Sequence, residues 1–222
     1  MAAPPYGALL RNGWIITMRQ LVSLCIALAT LCSAQNAPNS VTPKETADGW
    51  ILLFDGRSLK GWEGRATSVP NTTGDWTVEN GSIVCGGKVP SWLSSGATFS
   101  DYELKLEFRG GEKVNSSVFL RSQKEGQPHI TGYELQIWDY QPAGFLTGSL
   151  VGSQKAGPAK ILPDQWNRYD ITAQGDHFVI VLNGKTVLDT HDAAHSSGLI
   201  GFQCQQDNRI EFRNIKLRPI KK

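Results

Sequence analysis

An all-β fold, a single antiparallel β-sandwich, is what this chain predicts, on three observations. Short segments that alternate apolar and polar residues recur from Gly49 onward, separated by clusters of Gly, Asn, Asp or Pro, which is the pattern of a sandwich or barrel. The 222 residues include 23 Gly, 11 Pro and 7 Trp, which suits a turn-rich protein whose strands carry aromatic side chains. No stretch repeats its apolar residues at the helical period, and no longer unit repeats along the chain. With 40% hydrophobic and 19% charged residues, the chain is neither a disordered polyelectrolyte nor a coiled coil.

Taken in order, the N-terminus reads as a targeting segment. Leu21 to Leu31 is an apolar run preceded by Met18-Arg19 and followed by Cys32-Ser33-Ala34. A charged start, a short apolar stretch and small residues at the end make a secretory signal peptide. A membrane span needs roughly 20 apolar residues, more than this run has. Residues 1–34 are therefore expected to be an N-terminal extension and signal, with translation starting at Met18 and cleavage after Ala34. The mature chain is expected to be secreted or periplasmic, with no transmembrane span. Residues 35–47 read as a flexible linker, and 48–222 as one domain.

Arg11 and Arg19 leave with that signal, which contains no acid, so the remaining cationic and acidic residues balance at 20 of each. Nucleic acid is not expected as a partner, because phosphate binding needs a clustered cationic surface. Cys25 and Cys32 leave as well. Cys85 and Cys204 remain, and an oxidising compartment permits one disulfide, although spacing alone does not make the two neighbours. A structural zinc site is not expected, since there is no dense Cys/His cluster.

Within the domain, strands are expected near 76–85, 101–109, 117–122, 132–139, 166–173, 198–205 and 209–218. His177 to Leu188 reads as a hairpin turning at Asn183-Gly184, the preferred pair for a type I′ turn. The segment 101–109 alternates most cleanly, with Tyr102, Leu104, Leu106 and Phe108 on one face and Glu103, Lys105, Glu107 and Arg109 on the other. One face is thus buried and the other wet.

The same period of two nominates a site. In Gly132 to Asp139, Tyr133, Leu135 and Ile137 point one way, and Glu134, Gln136 and Trp138 the other. A carboxylate, an amide and an indole on one sheet face suit a sugar, whose hydroxyls need planar polar partners and whose C–H face stacks on an aromatic. The bland alternative is an ordinary wet face with Trp138 packed against a loop. In Asn115 to Arg121, Val118 and Leu120 turn inward and leave Ser117, Phe119 and Arg121 outside, where Arg121 would pair with Glu134, hold a substrate oxygen, or make a structural salt bridge. Gln203 and Gln205 share a face and would add amides to the same floor. His191 and His195, four apart in loop-like sequence, are not expected to form a metal pair, and no nucleophile-elbow or phosphate-loop motif occurs.

The order of these motifs resembles the 3-keto-disaccharide hydrolase domain family, with its concanavalin A-like jelly roll. The resemblance runs from about Gly49 to Pro219. It is carried by Trp50 to Gly56 with Leu59 and Gly61-Trp62, by Trp76 to Gly81, by Asp101 to Leu104 with Glu107 to Arg109, and by Asn115-Ser116 with Phe119 to Arg121. Gly132 to Gln136, Gln165 to Asn167, Asn183-Gly184, Gly198 to Gln203 and Phe212 to Ile215 complete it. The resemblance implies cleavage of glycosides whose C3 hydroxyl has been oxidised to a ketone, so the substrate would be an oxidised disaccharide, oligosaccharide or glycoside. Such a ketone acidifies the C2 hydrogen, a base removes it, the C1 substituent leaves, and water adds back. By position, Glu134 is implied as base or ligand of a divalent metal, and Arg121 as the group that orients substrate or stabilises the enolate. Asp139 would be a second acid beside Glu134, with Gln136, Trp138, Gln203 and Gln205 in substrate binding.

One departure stands out. Many relatives carry an Asp-His pair after the residue matching Gln203, and here Cys204-Gln205 stand there. An amide does not transfer protons efficiently and a thiol titrates above neutrality. A non-catalytic carbohydrate-binding module of the same fold is therefore the second expectation, and a structural or surface interaction domain the third.

Overall fold

Alternation decides the layers. In the computed structural model, which describes residues 37–66 and 73–221, the elements in chain order begin with α1 (Pro43–Ala47), β1 (Ile51–Leu52), β2 (Trp62–Ala66), β3 (Trp76–Glu79), β4 (Ser82–Cys85), β5 (Ser91–Phe99) and β6 (Tyr102–Gly110). They continue with β7 (Ser116–Ser122), α2 (Pro128–Thr131), β8 (Tyr133–Ile137), β9 (Asn167–Gln174), β10 (His177–Leu182), β11 (Lys185–His191), β12 (Gly198–Cys204) and β13 (Ile210–Pro219). The predicted export signal, its start at Met18 and the cleavage after Ala34 lie outside the described residues. Among the described residues, no helix is long and apolar enough to cross a membrane.

The strands form two antiparallel sheets. The larger runs β11-β10-β9-β6-β13-β4-β3, with β1 added to β13, and the smaller runs β2-β5-β12-β7-β8. In β6 the inward Tyr102, Leu104, Leu106 and Phe108 are buried, and the residues between them are part-exposed. From the smaller sheet, Leu93, Phe202, Val118 and Leu135 lie in one cross-strand register and are all buried. Phe202 stacks on Phe212 of the larger sheet at 4.1 Å and on Trp62 at 5.1 Å. Burying such side chains between the sheets is the main driving force, at roughly 1.5–3 kcal/mol for each large one. A disulfide, Cys85–Cys204, joins the two sheets through this core, with Cα atoms 5.7 Å apart.

The outer face of the larger sheet carries ion pairs across β6 and β13. Arg109 pairs with Glu211 at 2.8 Å, Arg213 with Glu107 at 2.7 Å and Arg218 with Glu103 at 2.6 Å. Trp166 lies under the guanidinium groups of Arg213 and Arg109, at 3.8 and 4.6 Å from its ring. This is the solvated face that the alternation of β6 predicts.

Two expectations are corrected. The segment near 76–85 is a hairpin, β3 and β4, because Asn80 (φ 49°) and Gly81 (φ 78°) turn the chain. The expected linker is ordered where it is described. Thr42 accepts from the Glu45 N–H and the Glu45 carboxylate accepts from the Thr42 N–H, a reciprocal cap that starts α1. The Glu45 carboxylate also pairs with Lys216 on β13 at 2.9 Å. Asn39 exchanges hydrogen bonds with Asn214, whose φ of 53° marks a bulge in β13.

Candidate functional site

The outer face of the smaller sheet gathers the polar groups. One row of facing residues crosses all five strands, namely Glu63, Ser94, Gly201, Phe119 and Glu134. Beside it, Arg65, Trp92 and Gln203 face one another on β2, β5 and β12, and Ser117 faces Gln136 on β7 and β8. Ser117 Oγ joins these two sets. It donates to Glu134 Oε1 at 2.7 Å and lies 3.3 Å from both Gln136 Oε1 and Gln203 Oε1. Gln203 Nε2 donates to the same Glu134 oxygen at 3.1 Å.

Glu134 is thus a buried carboxylate held at Oε1 by neutral donors. Among the described residues it has no ion pair, and its Oε2 accepts no hydrogen bond. A carboxylate held at one oxygen and unclaimed at the other has a fixed direction in which to accept a proton or a hydroxyl.

The backbone beneath it is fixed on both sides. β8 is paired with β7, and its other edge is met by the returning chain, where Gln136 N donates to Ser149 O, Gly148 N to Gln136 O and Val151 N to Glu134 O, at 2.9 to 3.0 Å. From inside the core, Tyr169 OH donates to Gln136 O at 2.7 Å, and burial pushes that phenol well above its ordinary pKa, so it stays a donor. A site on strands held this way keeps its geometry better than one on loops.

An apolar wall adjoins the polar group. Trp92 meets Phe119 edge-on at 5.7 Å, and Leu199 completes this outer cluster. Gly201 makes it possible, since a Cβ there would come within 2.5 Å of Trp92 Cε3. Arg65 stands at the far side of Trp92, 5.9 Å from its ring, with its Nε donating to Ser94 Oγ at 2.6 Å.

Residues 49–218 match the sequence profile of the family described as the 3-keto-alpha-glucoside-1,2-lyase-like domain. The chain belongs to this family. A Bacteroides thetaiotaomicron protein named 3-keto-disaccharide hydrolase is 27% identical over 175 residues, which cover 65% of this chain and 59% of that protein. Among solved structures, a Parabacteroides distasonis protein provisionally named a glycosyl hydrolase superposes with a TM-score of 0.71 at 20% identity, covering 83% of this chain and 100% of that one. A carbohydrate-binding module from Bacillus subtilis superposes with a TM-score of 0.54 at 19% identity, over 70% of this chain and 94% of that one. These likenesses agree with the expected concanavalin A-like sandwich.

In this lyase-like domain, the structure brings together Glu134, Gln136 and Gln203 of the expected site residues. It does not bring Arg121 to them. Arg121 has a φ of 56°, which breaks the alternation of β7 and sends the side chain into the protein, where it is fully buried. There it donates to the carbonyls of Ser100 at 2.9 Å, Gly175 at 2.7 Å and His195 at 3.0 Å, and it pairs with Asp101 at 3.4 Å. Neither substrate orientation nor enolate stabilisation is open to it from that position.

Asp139 is also committed elsewhere. One of its oxygens accepts from Thr147 and the other from Ile161 N at 3.1 Å, so it staples two loop segments and does not join Glu134. Trp138 lies just past the end of β8 and Gln205 just past the end of β12, where strand alternation no longer directs their side chains. Cys204 faces the core through its disulfide, so its side chain points away from Glu134.

The expected metal role of Glu134 finds no support in its surroundings. The polar groups on it are a hydroxyl and one amide, and the one described cluster of three potential ligands, Asp75, Cys85 and Cys204, contains the disulfide. No step is therefore routed through a metal. Ser117 as the hub, and Trp92 with Gly201 beside it, are not among the expected site residues. The alternation of Trp92 and Ser94 against Leu93 and Ser95 was the available signal.

Proposed function

We propose that this domain cleaves 3-keto-glycosides by elimination, with Glu134 as the general base. The observation that carries this is a buried carboxylate with one oxygen pinned by Ser117 and Gln203 and the other accepting no hydrogen bond among the described residues, in a chain of the lyase-like family. In the proposed reaction Glu134 Oε2 takes the proton from C2, and the C2–H electron pair passes into an enolate with the C3 ketone. The enolate then expels the C1 substituent with the C1–O bonding pair, and the leaving oxygen takes the proton that Glu134 carries, which restores the carboxylate. Water adds across the resulting C1=C2 bond, hydroxide to C1 and proton to C2, giving the 3-keto sugar. The Gln136 and Gln203 side-chain amides would hold substrate hydroxyls and the ketone oxygen, the part once expected of Arg121. Substrates would be oxidised disaccharides, oligosaccharides or glycosides.

Secretion or residence in the periplasm belongs to the same proposal. It is supported by the apolar run Leu21 to Leu31 and by the disulfide, a bond that persists in oxidising compartments.

The test is release from a chromogenic 3-keto-glucoside beside its unoxidised parent. Turnover of the keto substrate alone is expected, and Glu134→Gln should lower kcat by about 10²–10⁴-fold while the substrate still binds. A second reading, sugar binding without turnover, is favoured by disulfide-bonded Cys204 and the amide Gln205 standing where the family resemblance implies an Asp-His pair. Saturable sugar binding with no release from either substrate would establish that reading and end the first.

A further inference from the structure

We propose that a cleft on the outer face of the larger sheet is a second carbohydrate site, one that takes a neutral sugar through a vicinal diol. The cleft has a volume of about 350 Å³ and is lined by Arg109, Gly110, Gly111, Asp164, Arg209 and Glu211. It lies on the opposite sheet from Glu134, and its binding does not depend on the chemistry assigned to that residue.

Three features point to a ligand of this kind. The first is spare donor capacity. Arg109 uses Nη2 on Glu211 at 2.8 Å, and Arg209 uses Nη2 on Glu79 at 2.9 Å, with Glu211 a further 3.8 Å away. The other guanidinium nitrogens donate to no described residue, and each guanidinium carries five N–H donors in a planar fork. The second is a spare acceptor, because the Asp164 carboxylate accepts no hydrogen bond from a described residue, although its backbone N–H is anchored to Gly110 O at 2.9 Å. The third is room. A Cβ built on Gly111 would have only the Asp164 carboxylate within 4 Å, at 3.8 Å, so the space over this Cα is open to an incoming group.

Charge selects the ligand class. The two guanidinium groups share the cleft with the carboxylates of Glu211 and Asp164, and Arg209 also pairs with Glu79 outside it, so an anion would gain little from the cleft. Adjacent hydroxyls suit it better, since each can accept from a guanidinium and donate to a carboxylate at once. A neutral pyranose offers that pairing on neighbouring carbons.

The experiment is a titration of methyl α-D-glucoside into ¹⁵N-labelled protein, followed at the backbone amides of Gly110, Gly111 and Asp164. Saturable shifts at these amides are expected. Gly111→Leu, which fills the cleft, and Asp164→Ala, which removes the free acceptor, should each weaken them by about tenfold or more. The two variants guard against misfolding of either one, and Glu134→Gln should leave the shifts unchanged. Shifts confined to Ser117, Gln136 and Gln203 would overturn the second site while leaving the first standing. Silence of the cleft amides, insensitivity to both variants, or a response to glucuronate in place of the glucoside would overturn the proposal too.

Discussion

Replacing Arg121 by Met removes the one cation that ties Ser100, Gly175 and His195 together by their carbonyls. These residues belong to three different connections, between β5 and β6, β9 and β10, and β11 and β12. The methionine fills much of the volume but donates nothing, so three carbonyls lose this donor and the Asp101 carboxylate loses its cation, keeping only the Gly175 N–H at 2.9 Å. A buried acceptor left alone costs about 1–3 kcal/mol, and a broken buried ion pair about 3–5 kcal/mol. Loop ends can rewet, so the expected loss is about 4 kcal/mol and not the sum of all contacts. For a domain of this size that lowers Tm by roughly 8–16 °C. Thermal melts of the wild type, Arg121→Met and Arg121→Lys measure it, and Lys should fall between the other two because it keeps the charge but not the fork. Turnover per folded molecule should be unchanged below the melt. A variant that melts with the wild type but has lost turnover would refute the structural role and return Arg121 to the chemistry.

Three further expectations follow from the same geometry. The Cys85–Cys204 bridge closes a separation of 119 residues, which chain entropy values at about 5 kcal/mol, so a Cys85→Ser/Cys204→Ser chain should show a clearly lower urea midpoint, and an unchanged midpoint would deny the bridge any hold on the sheets. Gly201→Ala forces a Cβ against Trp92 and should cost about 1–3 kcal/mol with a change in tryptophan emission; a neutral result would mean the indole does not lie over this glycine. Burial pushes the Asp192 carboxyl up, but hydrogen bonds from Ser153, Ala194 N and Tyr133 outweigh it and hold the pKa below its ordinary value. Its stabilisation is therefore present above about pH 3.9 and is lost as pH falls through the lower native value, so Asp192→Asn should flatten the acid limb of a stability profile, and an unaltered limb would show that other carboxylates govern it.

Much of the fold was readable because period two leaves a strong trace where one face is apolar. Tyr102 to Arg109 shows it without interruption, and Asn183-Gly184 marks its hairpin by turn chemistry alone. The interior strand β5 escaped because Ser-Trp-Leu-Ser-Ser-Gly offers few apolar residues and a glycine. At the site, Glu134 and Gln136 were legible as a pair because they sit inside a regular strand, and Gln203 for the same reason. Arg121 was misplaced by a single positive φ, a backbone event that its neighbours in sequence do not announce. Trp138 and Gln205 were misplaced because each strand stops one residue short of them. Asp139 was misjudged because its partners, Thr147 and Ile161, come from loops whose path no local pattern specifies.

The strand order has a consequence for synthesis. The last two strands of the domain, β12 and β13, each lie inside a sheet, between β5 and β7 and between β6 and β4. Until they emerge, β5 and β7 have no strand between them and neither do β6 and β4, so neither sheet can close and Cys85 has no partner. At roughly 5–20 residues per second of elongation, the domain therefore stays without a completed core until its last two strands are made. Such a chain stays threadable for a narrow pore and exposed to helpers that hold unfolded segments, and it becomes a barrier to passage only once its final strands slot into place.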